Sequence, residues 1–201
     1  MADLFSVTMT GDQEVPPTGS TAFGYGSVAW DAAAGAATYH LVVYGLDFAS
    51  ILETGAGQAP HDAINMHVHT AEPGVAGPVV FGQITPRSDP DDLYIFRNDD
   101  GSWTVGGVWE PTDPAVVSIA EFADRLTAAR EYDLMPLYFN VHSPAFPGGE
   151  IRGQWVAATP GDTAAGGAPA DATEDGPPAD DATGAVPAAE GTDPPADVLL
   201  L

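Results

Sequence analysis

The sequence predicts an all-β fold of antiparallel strands with one short helix, followed by an acidic tail. Three observations carry that expectation. Apolar residues recur with a period of two in many short runs, Gly, Pro, Asn and Asp punctuate the runs, and a single stretch repeats at helical spacing instead. The rhythm of strand, helix, parallel strand is absent. The chain has 201 residues, room for one ordinary domain of roughly 150 residues and an appendage.

Residues 3–10 alternate, with Leu4, Val7 and Met9 in the apolar set, until Gly11-Asp12-Gln13-Glu14-Val15-Pro16-Pro17 breaks the strand with a polar turn and two prolines. Residues 23–30 and 37–45 read as a hairpin across 31–35. A Gly-rich loop of residues 47–60 then delivers the chain to His61 and to the strand Ile64-Asn65-Met66-His67-Val68-His69. On a strand, Ile64, Met66 and Val68 share the core face, and Asn65, His67 and His69 share the other. Residues 79–84 read as a further strand. Residues 93–97 and 102–109 pair across Asn98-Asp99-Asp100-Gly101, since Asp-Gly tolerates the positive φ of such turns. These aspartates attract calcium in principle but lack the ligand spacing of an EF-hand loop, so a plain turn is the better reading. Ser118 with Glu121 forms a capping box for a helix whose Ile119, Phe122, Ala123 and Leu126 form one apolar stripe. Two strands close the domain. Leu137, Phe139 and Val141 point inward with Tyr138, Asn140 and His142 outward, and Ile151 and Trp155 inward with Glu150, Arg152 and Gln154 outward. Short strands, turn signals and a single helix make an antiparallel β-sandwich of the immunoglobulin-like kind.

A composition break near Thr159 divides a domain of residues 1–158 from a tail of residues 159–201, which has nine acidic residues, no Lys or Arg and no aromatic residue. Such a segment buries too little apolar surface to offset its chain entropy and is expected to be disordered, as a linker, an export signal or a solvated end without a task. Asp197-Val198-Leu199-Leu200-Leu201 resembles the lead-in to the calcium-binding nonapeptide arrays of type I secreted bacterial proteins, although no such array follows. Residues 1–5 show no Sec-type signal peptide, which agrees with a cytosolic protein, a trimmed chain or export by a signal elsewhere.

The chain carries 29 acidic and 5 basic residues, a formal charge of −24, with every basic residue an arginine. That surface repels nucleic acid and anionic lipid, and no run approaches the ~18 apolar residues of a membrane span. Salty or calcium-rich extracellular surroundings suit it, because counter-ions screen the self-repulsion. Cysteine is absent. Any metal is therefore held by His, Asp or Glu.

His67 and His69, one residue apart on one strand face, have Cα atoms about 6.5 Å apart, so both imidazoles reach one ion. His142, on the outward phase of a distant strand, is the natural third ligand, and His61 or His40 is available as a fourth. Three neutral imidazoles with an open position suit copper or zinc and suit calcium or magnesium poorly. Strand histidines that merely hydrogen-bond across a sheet face are the competing reading. Arg152 either holds a small anion near the open position or pairs with Glu150.

The turn Gly11 to Pro17, the His67-Val68-His69 strand, and Tyr138-Phe139-Asn140-Val141-His142 followed by Pro147-Gly148-Gly149-Glu150-Ile151-Arg152-Gly153 together resemble the CHRD domain, the module first named from chordin, over residues 3–157. The resemblance implies an extracellular setting and assigns no reaction. A more distant likeness is to copper/zinc superoxide dismutase, also an antiparallel sandwich, whose copper sits on a His-x-His strand and a late histidine with a glycine-preceded arginine nearby. His67, His69, His142 and Arg152 follow that order. No histidine lies between His69 and His142 and there is no disulfide, so the likeness implies at most one copper, with superoxide, another oxygen species or a carboxylate as the small ligand of Arg152. In that reading Asn65 and Asn140 orient the imidazoles. Two further readings stand beside a mononuclear copper oxidoreductase. One is a non-catalytic extracellular module with a protein or glycan partner; the other is a copper store or carrier.

Overall fold

A computed structural model describes residues 3–52 and 59–159. The tail beyond residue 159 and residues 53–58 of the Gly-rich loop lie outside the described residues. Eight strands form one curled antiparallel sheet in the order β4-β7-β8-β1-β2-β3-β6-β5. They are β1 Leu4–Thr10, β2 Phe23–Asp31, β3 Ala36–Tyr44, β4 Asn65–His69, β5 Tyr94–Arg97, β6 Trp103–Trp109, β7 Leu134–His142 and β8 Ile151–Ala158. Both expected hairpins are present, β2–β3 with Phe23 opposite Tyr44 and β5–β6 with Arg97 opposite Trp103. In the second, Gly101 takes φ +86°. Asp100 is spent inside that turn, its Oδ1 accepting from the Ser102 amide at 3.0 Å and its Oδ2 from the Tyr44 hydroxyl at 3.1 Å.

The curl brings the two halves of the sheet face to face, as a sandwich. Trp109 of β6 stacks on Trp155 of β8 with centroids 6.1 Å apart and meets Phe139 of β7 at 5.6 Å. Phe5, Phe139 and Trp155 have no exposed surface. Aromatic side chains of this size supply the largest share of core burial per residue, and their tilted and stacked pairs add roughly 0.5–1.5 kcal/mol each.

The expected helix runs from a 3-10 turn, Ile119–Phe122, into α2, Ala123–Ala128. The Ser118 side chain caps it by accepting from the Ala120 amide. Ile119 and Leu126 are buried, and Phe122 packs on Phe81 at 5.4 Å. A one-turn helix, α1, Ala49–Leu52, forms inside the stretch expected to be loop, with the Asp47 carboxylate accepting from the Ala49 amide.

Two local expectations are corrected. Residues 79–84 are not a regular strand. They join β4 by one bridge, Val79 to His69, and by backbone bonds from Val68 to Phe81 and from Ile84 to Met66. Gly82 bends the segment at φ +66°, where a Cβ would fall 2.9 Å from the Trp109 ring and 3.0 Å from Val68, so the tight core contact forbids a straight ladder. Ile64 was expected on the core face, but it lies just ahead of β4 and is 45% exposed, whereas Met66 and Val68 are fully buried.

Candidate metal centre

β4 and β7 pair antiparallel with Asn65 opposite His142, His67 opposite Asn140 and His69 opposite Tyr138. The pleat puts all six side chains on the face away from the aromatic core, and His142 becomes the diagonal neighbour of His67, within reach of a long side chain. The ring centroids are 4.6 Å apart for His67 and His69, 4.8 Å for His67 and His142, and 6.4 Å for His69 and His142. One nitrogen from each of the three lies within 4.8 Å of the others.

The second nitrogens fix the orientation. His69 Nδ1 sits 2.7 Å from the Gly77 carbonyl and His142 Nδ1 sits 3.0 Å from the Pro147 carbonyl. A carbonyl only accepts, so both Nδ1 atoms carry the hydrogen and both Nε2 atoms present a lone pair. The Nε2 atoms of His142 and His67 approach to 3.2 Å, while His69 Nε2 is buried without a partner. Two nitrogens bound tetrahedrally at ~2.0–2.1 Å to one ion are themselves about 3.3 Å apart. The donor set therefore fits a metal, and without one a buried lone pair has nothing to accept from. Each ring is held below its ordinary pKa, His67 at about 3, with burial as the leading cause. At His67 the charges of the other two rings add to burial, and at His69 and His142 the carbonyl bonds work against it. The neutral form that results is the form that ligates.

The face beside the histidines is buried rather than solvated, because residues 70–78 fold over it. Gly77 closes that loop: its amide donates to the Tyr138 hydroxyl at 3.0 Å, and a Cβ there would fall 2.0 Å from the Thr70 carbonyl oxygen. Arg152, 2% exposed, holds the loop from beneath. Its guanidinium donates to the carbonyls of Val75 at 2.8 Å and Glu72 at 3.3 Å and to Gln154 Oε1 at 3.0 Å. It also lies 3.5 Å from the centre of the Tyr138 ring, against which His69 stacks at 4.9 Å. The expected pairing of Arg152 with Glu150 is not formed. Glu150 has no exposed surface and accepts from Ser20 Oγ at 2.7 Å, from the Ser143 hydroxyl and from His61 Nδ1 at 2.8 Å.

His61 is thus committed to Glu150. His40 stands exposed on β3, opposite Ser27 and Gly106. Neither belongs to the convergent group. Of the asparagines, Asn140 donates to Glu14 at 2.9 and 3.1 Å, and Asn65 accepts from Gln83 at 3.5 Å, so neither bonds a histidine ring. The orienting partners are the carbonyls of Gly77 and Pro147. Sequence reasoning left Glu14 in an unremarkable turn. It is buried over Asn140, with its carboxyl pushed up to about 7 because burial outweighs the Arg152 charge and the Asn140 bond. Only its place in the Gly11 to Pro17 motif pointed to it.

No curated protein and no solved structure matches the chain. CHRD domains are typically extracellular modules, and among the described residues no helix is long and apolar enough to cross a membrane. The match to the CHRD domain covers residues 5–155, which takes in all but the first residue of β1, the histidine strands and the first five residues of β8, and the chain therefore belongs to the CHRD domain family.

Proposed function

We propose that this domain binds one copper ion through His67, His69 and His142 and works outside the cell. The observation that carries the reading is the convergence of three neutral imidazoles, with His69 Nε2 buried and unpartnered. An all-imidazole set suits copper and zinc, and copper is held more tightly than zinc by a given nitrogen site. Bound copper supplies one-electron chemistry. The chain's own residues orient the ligands through the Gly77 and Pro147 carbonyls and shield one side with the loop of residues 70–78.

A store, carrier or structural role has a specific observation in its favour over turnover of an anion. The donors of Arg152 go to the loop carbonyls and Gln154, which makes it a positioning residue that clamps the cover over the histidines. Elemental analysis and EPR on untagged protein test the reading. One copper per chain with nitrogen hyperfine splitting is expected, and metal content unchanged in the His67→Ala, His142→Ala double variant overturns it. Rapidly exchanging copper without turnover selects the carrier; a metal-free fold indifferent to chelators selects the non-catalytic module.

A further inference from the structure

A second group of oxygen ligands stands apart from the histidines, in the loop before β5 and the turn after β6. One carboxylate oxygen from each of Asp91, Asp92 and Glu110 lies within 4.8 Å of the others. Oxygens bound to one calcium at ~2.3–2.6 Å can be no more than about 5 Å apart. Asp92 Oδ1 accepts from the Val108 amide at 2.6 Å, which fixes one of the three to β6 with an oxygen left over, and Asp113 Oδ2, beside the group, accepts from the Glu110 amide at 2.8 Å. Among the described residues no ion pair reaches these acids.

An acidic cluster alone is a common surface feature. What sets this one apart is Asp89, which is 1% exposed. Its Oδ2 accepts from the Tyr39 hydroxyl at 2.8 Å, and its Oδ1 is buried without a partner. The Asp89 carboxyl lies beside Asp92 over the bare side of Gly107, where a Cβ would fall 2.7 Å from Asp89 Oδ2, the oxygen bonded to Tyr39, and 3.0 Å from Asp92 Oδ1. Glu110 Oε2 is likewise buried and unpartnered. Both carboxyls are held above their ordinary range, Asp89 at about 6 and Glu110 at about 7, by burial first and then by the surrounding aspartates. A buried carboxylate oxygen set among like charges is relieved either by a proton shared with its neighbour, as between Asp89 and Asp92 or Glu110 and Asp113, or by a cation that takes the proton's place.

We infer that Asp89, Asp91, Asp92, Glu110 and Asp113 form a calcium site, independent of the histidine centre. The all-oxygen, anionic, loop-borne donor set suits a hard cation with flexible coordination. Magnesium demands a stricter octahedron and gives up its waters reluctantly. Copper and calcium are thereby sorted by chemistry, imidazoles at one end of the strand order and carboxylates at the other.

The test is calorimetric titration of CaCl2 into chelator-stripped full chain at about 0.15 M NaCl, where diffuse attraction is screened. One saturable event per chain is expected, with affinity of roughly 10⁻⁴–10⁻³ M or tighter and a calcium-dependent rise in melting temperature. Glu110→Gln with Asp91→Asn weakens binding by at least about 30-fold, the loss expected when two charged ligands go. Its melt in chelator stays at or above that of the parent, since like-charge repulsion is relieved. Asp113→Asn keeps the oxygen that accepts from the Glu110 amide and weakens binding too, whereas His67→Ala does not. Absence of saturable binding, equal binding by the double variant, or magnesium binding as tightly as calcium overturns the assignment.

Discussion

Replacing Gly77 by alanine tests how the histidine centre is built without touching a histidine. The added Cβ falls 2.0 Å from the Thr70 carbonyl oxygen, whereas ordinary contact begins at 3.4 Å, so the loop must open by at least about 1.4 Å. That displacement breaks two bonds made by the same residue, from its amide to the Tyr138 hydroxyl at 3.0 Å and from its carbonyl to His69 Nδ1 at 2.7 Å. At ~0.5–1.5 kcal/mol per bond, the metal-free fold loses about 1–3 kcal/mol. The separate loss of an orienting partner lowers copper affinity about 10–100-fold. Gly74→Ala is the control: it lies in the same loop at φ +75° with no atom within 4 Å of its Cβ, so it incurs about 1–2 kcal/mol of backbone strain and leaves His69 untouched. Urea denaturation of the metal-free proteins and competition against a copper chelator read the two effects separately. Parental copper affinity in Gly77→Ala, or equal losses of copper affinity in the two variants, refutes the orienting role of the loop.

Other substitutions bear on the same architecture. Glu14→Gln stabilises the fold at pH 8 by on the order of 2 kcal/mol and changes little at pH 4. The folded Glu14 carboxyl, at about 7, lies above its ordinary 4.5, so its contribution is fully present below pH 4.5 and is lost as pH rises through 7; equal effects at both pH values would sink that account. His67 runs the other way. Its folded pKa of about 3 lies below the ordinary 6.5, so its contribution is present above pH 6.5 and is lost as pH falls toward 3, which urea melts of metal-free His67→Gln against parent will show as a stability gap that narrows in that window. Copper stoichiometry falls in His142→Ala and stays at the parental value in His61→Ala, whose lost bond to Glu150 appears only in the melt. Trp155→Ala, at the centre of the stacked aromatic core, costs about 3–5 kcal/mol by denaturation, because no neighbour can refill the space.

The strands were legible where one face is wholly apolar. Met66 and Val68, or Leu137, Phe139 and Val141, keep period two against a dry core, and the opposite phase then places His67, His69 and His142 correctly without any structural knowledge. What escaped is what long-range packing decides. The straight run at residues 79–84 is locally a good strand, and only the approach of Trp109 and Val68 to Gly82 bends it. Arg152 reads as a surface cation by its phase, yet the loop of residues 70–78 buries it, and nothing in the composition of that loop says where it lands. Glu150 and Arg152 stand two apart on one face, an obvious pair by spacing, but Ser20, Ser143 and His61 reach Glu150 instead.

The sheet has two ends, and they are guarded differently. The bent segment of residues 79–84 bonds along β4, so that end has no row of free amides to offer. β5 is the last strand at the other end, and it exposes Tyr94 and Phe96. A short apolar strand with an open side is a template on which a second chain can pair. Asp91 and Asp92 precede it and Asp99 and Asp100 follow it, so a second copy approaching in either direction brings carboxylates against carboxylates. Part of the large negative charge thus acts as a guard on one strand, one whose strength falls as salt screens it.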